Sequence, residues 1–177
     1  MTADALRFGS RFYLQMFALL LFGRGCDFLS TWVATPNLVL EGNPLAKKLG
    51  WKLGSVVNLA ICFGLAFWPV TAIVVTTASL LVSAHNFHSA WLMRTMGEEN
   101  YRHWFTERVM ETRRSLYIFC LLGETVLTGL VGAGLIYWYS DRVDSPAYAI
   151  GSGIVAYALI VLFYTSLSLW RLWRKHR

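Results

Sequence analysis

The sequence Gly23–Pro44, GRGCDFLSTWVATPNLVLEGNP, joins the end of a long apolar run to several charged and polar side chains. Arg24, Asp27 and Thr31 recur at i, i+3 and i+7, so they share one face if this segment is helical. Ionisable residues inside a membrane helix are costly, and they usually face the interior of a bundle with a partner. The segment therefore predicts a membrane helix with a polar inner face, and we treat it as the functional centre.

The composition indicates the class of protein. Of the 177 residues, 56% are hydrophobic and only 15% are charged, whereas soluble domains carry about 25% charged residues. Several apolar runs reach the roughly 20 residues that a helix needs to cross a bilayer. We predict an all-α polytopic membrane protein that forms a single integral domain over residues 1–177.

The hydrophobic pattern predicts about five transmembrane helices and two helices at the membrane interface. The first span ends before Pro36, because a residue that precedes proline is disfavoured in the α conformation. Asn43 and Pro44 have the chemistry of a helix cap and a first helical residue. The predicted spans are residues 11–34, 53–67, 70–93, 115–139 and 146–170, and the predicted interfacial helices are residues 44–51 and 98–113.

The basic residues predict an orientation. The net charge of +6 does not indicate nucleic acid as a partner, because the basic residues flank apolar spans, where they orient the protein and contact anionic lipid. With five spans, only Arg7, Arg11 and Arg142 lie on one side. The positive-inside rule then predicts a protein of the cytoplasmic (inner) membrane, N-terminus out and C-terminus in. The basic residues of the inner side are Lys47, Lys48, Lys52, Arg94, Arg102, Arg108, Arg113, Arg114, Arg171, Arg174, Lys175 and Arg177.

Polar residues recur at a similar depth in four of the predicted spans. With a rise of about 1.5 Å per residue, they lie roughly 8 to 13 Å from the cytoplasmic end of each span. Because consecutive spans alternate in direction, we expect these residues to meet in one pocket that opens to the cytoplasm. The candidate lining residues are Arg24, Asp27, Thr31, Glu41, Asn43, Asn58, His85, His88 and Glu124.

The chemistry of this predicted pocket has two interpretations. His85 and His88 lie one helical turn apart, and with a carboxylate they would bind a divalent metal and leave a position for water. Alternatively, the two histidines only form hydrogen bonds near the interface. Asp27 is either a general base or cation site, or the partner of Arg24 in a structural ion pair. The candidate catalytic residues are Asp27, Glu41 and Glu124.

Two motifs resemble those of a known family. D-x3-T, from Asp27 to Thr31, and E-x-N-P-L, from Glu41 to Leu45, are followed by a hydrophobic span. This arrangement resembles an uncharacterised family of small bacterial and archaeal multipass membrane proteins, over roughly residues 20–67. The resemblance implies no activity, but it implies that one group of residues belongs together: Asp27, Thr31, Glu41, Asn43 and Pro44.

Three functions are compatible with these features. We favour a non-catalytic integral or accessory subunit of a larger membrane complex, because the chain is small, its glycines suit helix packing and no strong catalytic motif occurs. The second function is a metal-assisted membrane hydrolase or transferase that acts on lipid or peptide. The third is an oligomeric carrier of ions or small solutes with Asp27 and Glu124 as relay groups. Expected partners are the lipid bilayer and other membrane subunits or further copies of this chain.

Overall fold

The computed structural model describes residues 5–175, and this part of the chain is helical with no strand. The terminal residues 1–4 and 176–177 of the predicted domain, including Arg177, lie outside the described range. The helices of the described range confirm the predicted all-α class. The helices are α1 (Arg11–Ala34), α2 (Pro44–Leu65), α3 (Pro69–Met96), α4 (Glu98–Glu111), α5 (Arg114–Trp138) and α6 (Pro146–Lys175).

Four of these helices, α1, α3, α5 and α6, are long and apolar enough to cross a membrane. They confirm the multipass character that the composition predicts. The remaining predicted span, residues 53–67, lies largely in α2, which is not among the four. Lys52, Ser55 and Asn58 lower the hydropathy of α2.

α2 contains a bend that divides it into two parts. Gly50 has φ 64° and ψ −172°, and glycine adopts this left-handed region without the penalty that a side chain would add. The bend lies at the predicted border between a short interfacial helix and a span. α2 begins as the sequence predicts, because the Asn43 side chain accepts a hydrogen bond from the Leu45 amide at 3.0 Å and Pro44 is the first helical residue.

α1 and α3 lie side by side and run in the same direction. In the middle of α1, a Cβ atom on Gly23 would lie 2.8 Å from a methyl group of Thr76, so only glycine allows this approach of the helices. Near the ends of both helices, the Arg94 guanidinium lies 5.6 Å from the ring centroid of Trp32. Both helices therefore end on the same side of the bundle.

α2 lies along the outer side of α1 and runs in the opposite direction. The Trp51 indole donates a 2.8 Å hydrogen bond to the carbonyl of Pro36, just after the end of α1. At the other end, the Tyr13 hydroxyl donates to the carbonyl of Phe63 at 3.2 Å. α2 therefore extends along α1 from the end of α1 back to its beginning.

Glycines also set the spacing of α3, α6 and α5. A Cβ atom on Gly132 of α5 would lie 2.7 Å from the Gly151 carbonyl oxygen of α6, and one on Gly153 would lie 2.6 Å from Cβ of Thr77. Gly134, two residues further along α5, faces open space. The helices thus follow one another in the order α2, α1, α3, α6, α5.

α4 packs against the cytoplasmic-side ends predicted for α5 and α6. Val109 is buried together with Leu121 of α5 and Leu169 of α6. The Arg114 guanidinium, at the start of α5, lies 5.2 Å from the ring centroid of Trp173, near the end of α6. This contact joins these two helix ends beside α4. α4 therefore closes this end of the bundle with its apolar side inward.

Candidate functional site

A polar network around Arg24 joins α1, α2 and α3. Its Nη1 donates to Oδ2 of Asp27 at 2.9 Å and to Oγ of Ser79 at 3.3 Å, and its Nε donates to Oδ1 of Asn58 at 2.8 Å. Nη2 also donates to Asn58. Each of the three helices supplies an acceptor for this cation, which is the partnering that charged groups need within a membrane.

The Thr31 hydroxyl of the D-x3-T motif forms a hydrogen bond within its own helix, α1. The hydroxyls of Ser30 and Thr31 donate to the backbone carbonyl of Asp27 at 2.9 and 3.0 Å. Asn86 of α3 donates to Ser30 at 3.2 Å, so this turn of α1 is joined to α3. The carboxylate of Asp27 remains free to pair with Arg24, and its side chain is 20% exposed.

The E-x-N-P-L motif forms the start of α2. The Glu41 carboxylate accepts a hydrogen bond from the backbone amide of Asn43 at 2.7 Å, and this bond fixes the backbone that precedes Pro44. The E-x-N-P-L motif thus sets the local geometry at which α2 begins.

An apolar cleft lies between α1 and α2 and has a volume of about 800 Å³. Its walls include Leu29 and Trp32 of α1 and Trp51 and Leu59 of α2. Leu29, Trp32 and Leu59 are exposed, so the cleft is open at the side of the bundle. This size and this apolar lining are typical of sites for small molecules.

The polar residues of the cleft come from both of its helices. Arg24 of α1 and Asn58 of α2 are partly buried and bonded to each other, whereas Lys52 and Ser55 are exposed and lie toward the start of α2. The Arg24 network therefore forms part of an otherwise apolar surface.

A second polar contact joins α3 to α5. Nδ1 of His85 lies 3.7 Å from Oε1 of Glu124, and the two side chains are 51% and 49% exposed. His88 is also exposed. Neither histidine nor Glu124 lines the cleft between α1 and α2.

The nine residues of the predicted pocket therefore do not surround one cavity. The structure brings Arg24, Asp27 and Asn58 together, and it separately brings His85 to Glu124. The physical reason is the rotation of α3, because Ser79 and Asn86 face α1 while His85 reaches α5. The remaining candidates have other positions: Thr31 bonds to its own helix, Glu41 and Asn43 form the start of α2, and His88 is exposed.

No grouping in residues 5–175 fits the metal site that the sequence suggests. Within this range, no three His, Cys, Asp or Glu side chains lie close enough to hold a metal ion together. His85 contacts Glu124, while the Asp27 carboxylate bonds to Arg24 on another part of the bundle. The two groups of candidate ligands are therefore separate.

Glu98 forms a polar contact that no motif in the sequence indicates. Its carboxylate accepts hydrogen bonds from the backbone amides of Asn37 and Val39, both at 2.9 Å, and from the Thr35 hydroxyl. Burial alone would raise the pKa of Glu98, but these hydrogen bonds outweigh it and hold that pKa below its usual value. An acidic residue in a first helical turn is a visible signal, although its partners, about 60 residues earlier, are not.

The comparisons with known proteins leave the family resemblance as a prediction. No protein family, curated protein or solved structure matches this chain.

Proposed function

We propose that this chain is a five-span protein of the cytoplasmic membrane that serves as a non-catalytic integral subunit of a larger membrane complex. Its N-terminus lies outside and its C-terminus inside.

The parallel arrangement of α1 and α3 supports the fifth span. If both helices cross in the same direction, the chain between them must return across the membrane, and α2 is the helix that runs back along α1. Beyond its bend at Gly50, α2 covers roughly 22 Å at about 1.5 Å per residue. This is shorter than the roughly 30 Å hydrocarbon core, so local thinning of the bilayer would accompany this span.

The distribution of charge supports the orientation. The ends at which α1 and α3 terminate also carry the start of α2 and all of α4, and these segments are rich in Lys and Arg. The opposite end carries Arg7, Arg11 and Arg142. The positive-inside rule then puts the basic end in the cytoplasm.

The single observation that carries the role as a subunit is the half-exposed contact between His85 and Glu124. Glu124 is ten residues into α5, which is about 15 Å along the helix. Ionisable side chains at such depth are rarely left facing lipid, because their exposure to hydrocarbon is costly. A transmembrane helix of another subunit, with a polar group at this depth, would cover the pair and satisfy it.

The surroundings of Glu124 suit a neighbouring helix. Cys120 and Leu127 are exposed one turn before and after Glu124. Gly123 has nothing within 4 Å of an added Cβ atom, which leaves room for close approach of a second backbone. We call the surface formed by Cys120, Gly123, Glu124 and Leu127 the α5 face.

Site-specific photo-crosslinking in native membranes tests this role. A photoreactive side chain at Leu127 should give a high yield of an adduct with one membrane protein. That adduct should be recovered after purification in mild detergent. The same group at Val56, exposed on α2 at the other edge of the bundle, is the matched control and should react mainly with lipid. Glu124→Leu should reduce the adduct at Leu127.

Two results would contradict the proposal. One is equal, lipid-dominated labelling at both positions from a protein that purifies as a lone monomer. The other is an adduct of twice the mass of the chain, which would identify a second copy of this chain as the occupant of the α5 face.

A further inference from the structure

The cleft between α1 and α2 combines an opening toward lipid with an uneven distribution of charge. Leu21, Leu29 and Leu59 line it and are exposed, so a hydrocarbon chain in the bilayer would meet apolar walls at the entrance. Among the described lining residues, the charged ones are the cations Arg24, which pairs with Asp27, and Lys52, which forms no ion pair with a described residue. The cleft therefore complements a molecule with a long apolar part and a negative group.

Arg24 retains hydrogen-bonding capacity for a ligand. A guanidinium has five N–H donors, and Arg24 forms four hydrogen bonds, with Asp27, Ser79 and Asn58 as acceptors. These bonds hold its position at the wall of the cleft. No described residue accepts a hydrogen bond from the remaining donor on Nη2.

The spacing of the two cations matches the chemistry of a phospholipid. Lys52 lies near the start of α2, at the end of the cleft proposed to face the cytoplasm, and Asn58, which binds Arg24, lies six residues further along. Six residues correspond to about 9 Å along the helix. A phosphate near Lys52 would thus place the ester carbonyls of the same lipid deeper, toward the free donor of Arg24.

We propose that this cleft binds one anionic phospholipid from the cytoplasmic leaflet. Its phosphate contacts Lys52, an ester carbonyl accepts a hydrogen bond from Arg24, and one acyl chain lies between Leu29 and Leu59. Basic pockets between membrane helices on the cytoplasmic side are known to bind anionic lipid headgroups. This inference rests on the proposed topology but is independent of the role as a subunit.

A variant that fills the cleft gives the first test. Gly25 lines the cleft, and an added Cβ atom would meet nothing within 4 Å, so Gly25→Leu should fold while its side chain occupies the site. Gly134→Leu, at an open position on α5, is the matched control. Native mass spectrometry from detergent with phosphatidylglycerol and phosphatidylcholine should show one phosphatidylglycerol retained by the wild type and by Gly134→Leu. Gly25→Leu should lose it.

A charge variant gives the second test and does not depend on the packing of α1. Lys52→Gln should weaken retention of phosphatidylglycerol about five-fold, the effect expected for one basic side chain near a membrane surface. Lys48→Gln is the control, because Lys48 is exposed at the same end but does not line the cleft.

Three results would overturn the inference. The first is equal retention of phosphatidylglycerol by the wild type and Gly25→Leu, together with no difference between Lys52→Gln and Lys48→Gln. The second is retention of phosphatidylcholine equal to that of phosphatidylglycerol. The third is a bound polypeptide in place of lipid. Because the α5 face lies at the other edge of the bundle, crosslinking at Leu127 should be unchanged in Gly25→Leu. A loss of lipid and a loss of the partner subunit are therefore distinguishable.

Discussion

Nη1 of Arg24 lies 2.9 Å from Oδ2 of Asp27, on one face of α1 and within a segment apolar enough to cross a membrane. Asn58 and Ser79 also accept hydrogen bonds from Arg24, but Asp27 is the anion that pairs with it directly. Removing one partner of such a pair costs more than removing both, because an uncompensated charge then remains in the protein.

This pairing predicts a double-mutant result. Asp27→Asn should lower the free energy of unfolding by about 3 kcal/mol, since the charge of Arg24 loses its counter-ion. The double variant Arg24→Leu with Asp27→Leu should recover most of that loss, because no uncompensated charge then remains in the protein. Denaturation in detergent measures both. A double variant less stable than Asp27→Asn would show that the pair contributes more than mutual neutralisation.

The hydrogen bonds of Glu98 predict a dependence of stability on pH. The pKa of Glu98 is lowered in the folded protein, so its carboxylate stabilises the fold above the pKa of the unfolded chain, about 4.3 for Glu. That stability should be lost as the pH falls through the lower, folded pKa. Thermal unfolding between about pH 6 and pH 3 should show the loss in the wild type.

Glu98→Gln should be less stable than the wild type at pH 6, and the difference should shrink as the pH falls. Glu99→Gln is the control, because Glu99 is exposed and pairs with Arg102 on the surface of α4. If Glu98→Gln and Glu99→Gln gave the same pH profile, the loop from Thr35 to Val39 would not depend on the Glu98 carboxylate.

The close approach of α5 and α6 predicts an asymmetry between two glycines of α5. Gly132→Ala should destabilise the protein by about 1–3 kcal/mol, the usual effect of overpacking, because the new Cβ atom would meet the Gly151 carbonyl at 2.7 Å. Gly134→Ala should be neutral or stabilising, because that position is open and alanine favours helix. Equal unfolding temperatures for the two variants would contradict the crossing geometry.

Local features of the sequence predicted much of the fold. The first span, predicted as residues 11–34, coincides with α1 (Arg11–Ala34). The start of α2 at Pro44 and the pairing of Arg24 with Asp27 were also predictable, because both depend on residues within one or two turns. Capping and i, i+3 contacts are determined by spacing along the chain.

The arrangement of residues from different helices was not predictable in the same way. A similar depth in the membrane suggested that Asp27, His85 and Glu124 share a pocket, but depth does not determine how each helix is rotated. The packing of Gly23 on Thr76 sets the rotation of α3 against α1, and it leaves His85 beside Glu124. The contact between Glu98 and Asn37 likewise depends on the tertiary structure.

The topology can be tested most directly at the two ends of α2, because the proposed orientation and the position of the lipid cleft both depend on whether this helix crosses the membrane. Single cysteines at Gly42 and Trp68, in a variant without the three native cysteines, are labelled with a membrane-impermeant thiol reagent in intact and in opened cells. The proposed topology predicts that Trp68→Cys reacts in intact cells and Gly42→Cys only after the cells are opened. Labelling of both positions from the same side would show that α2 does not cross, and it would contradict the five-span topology.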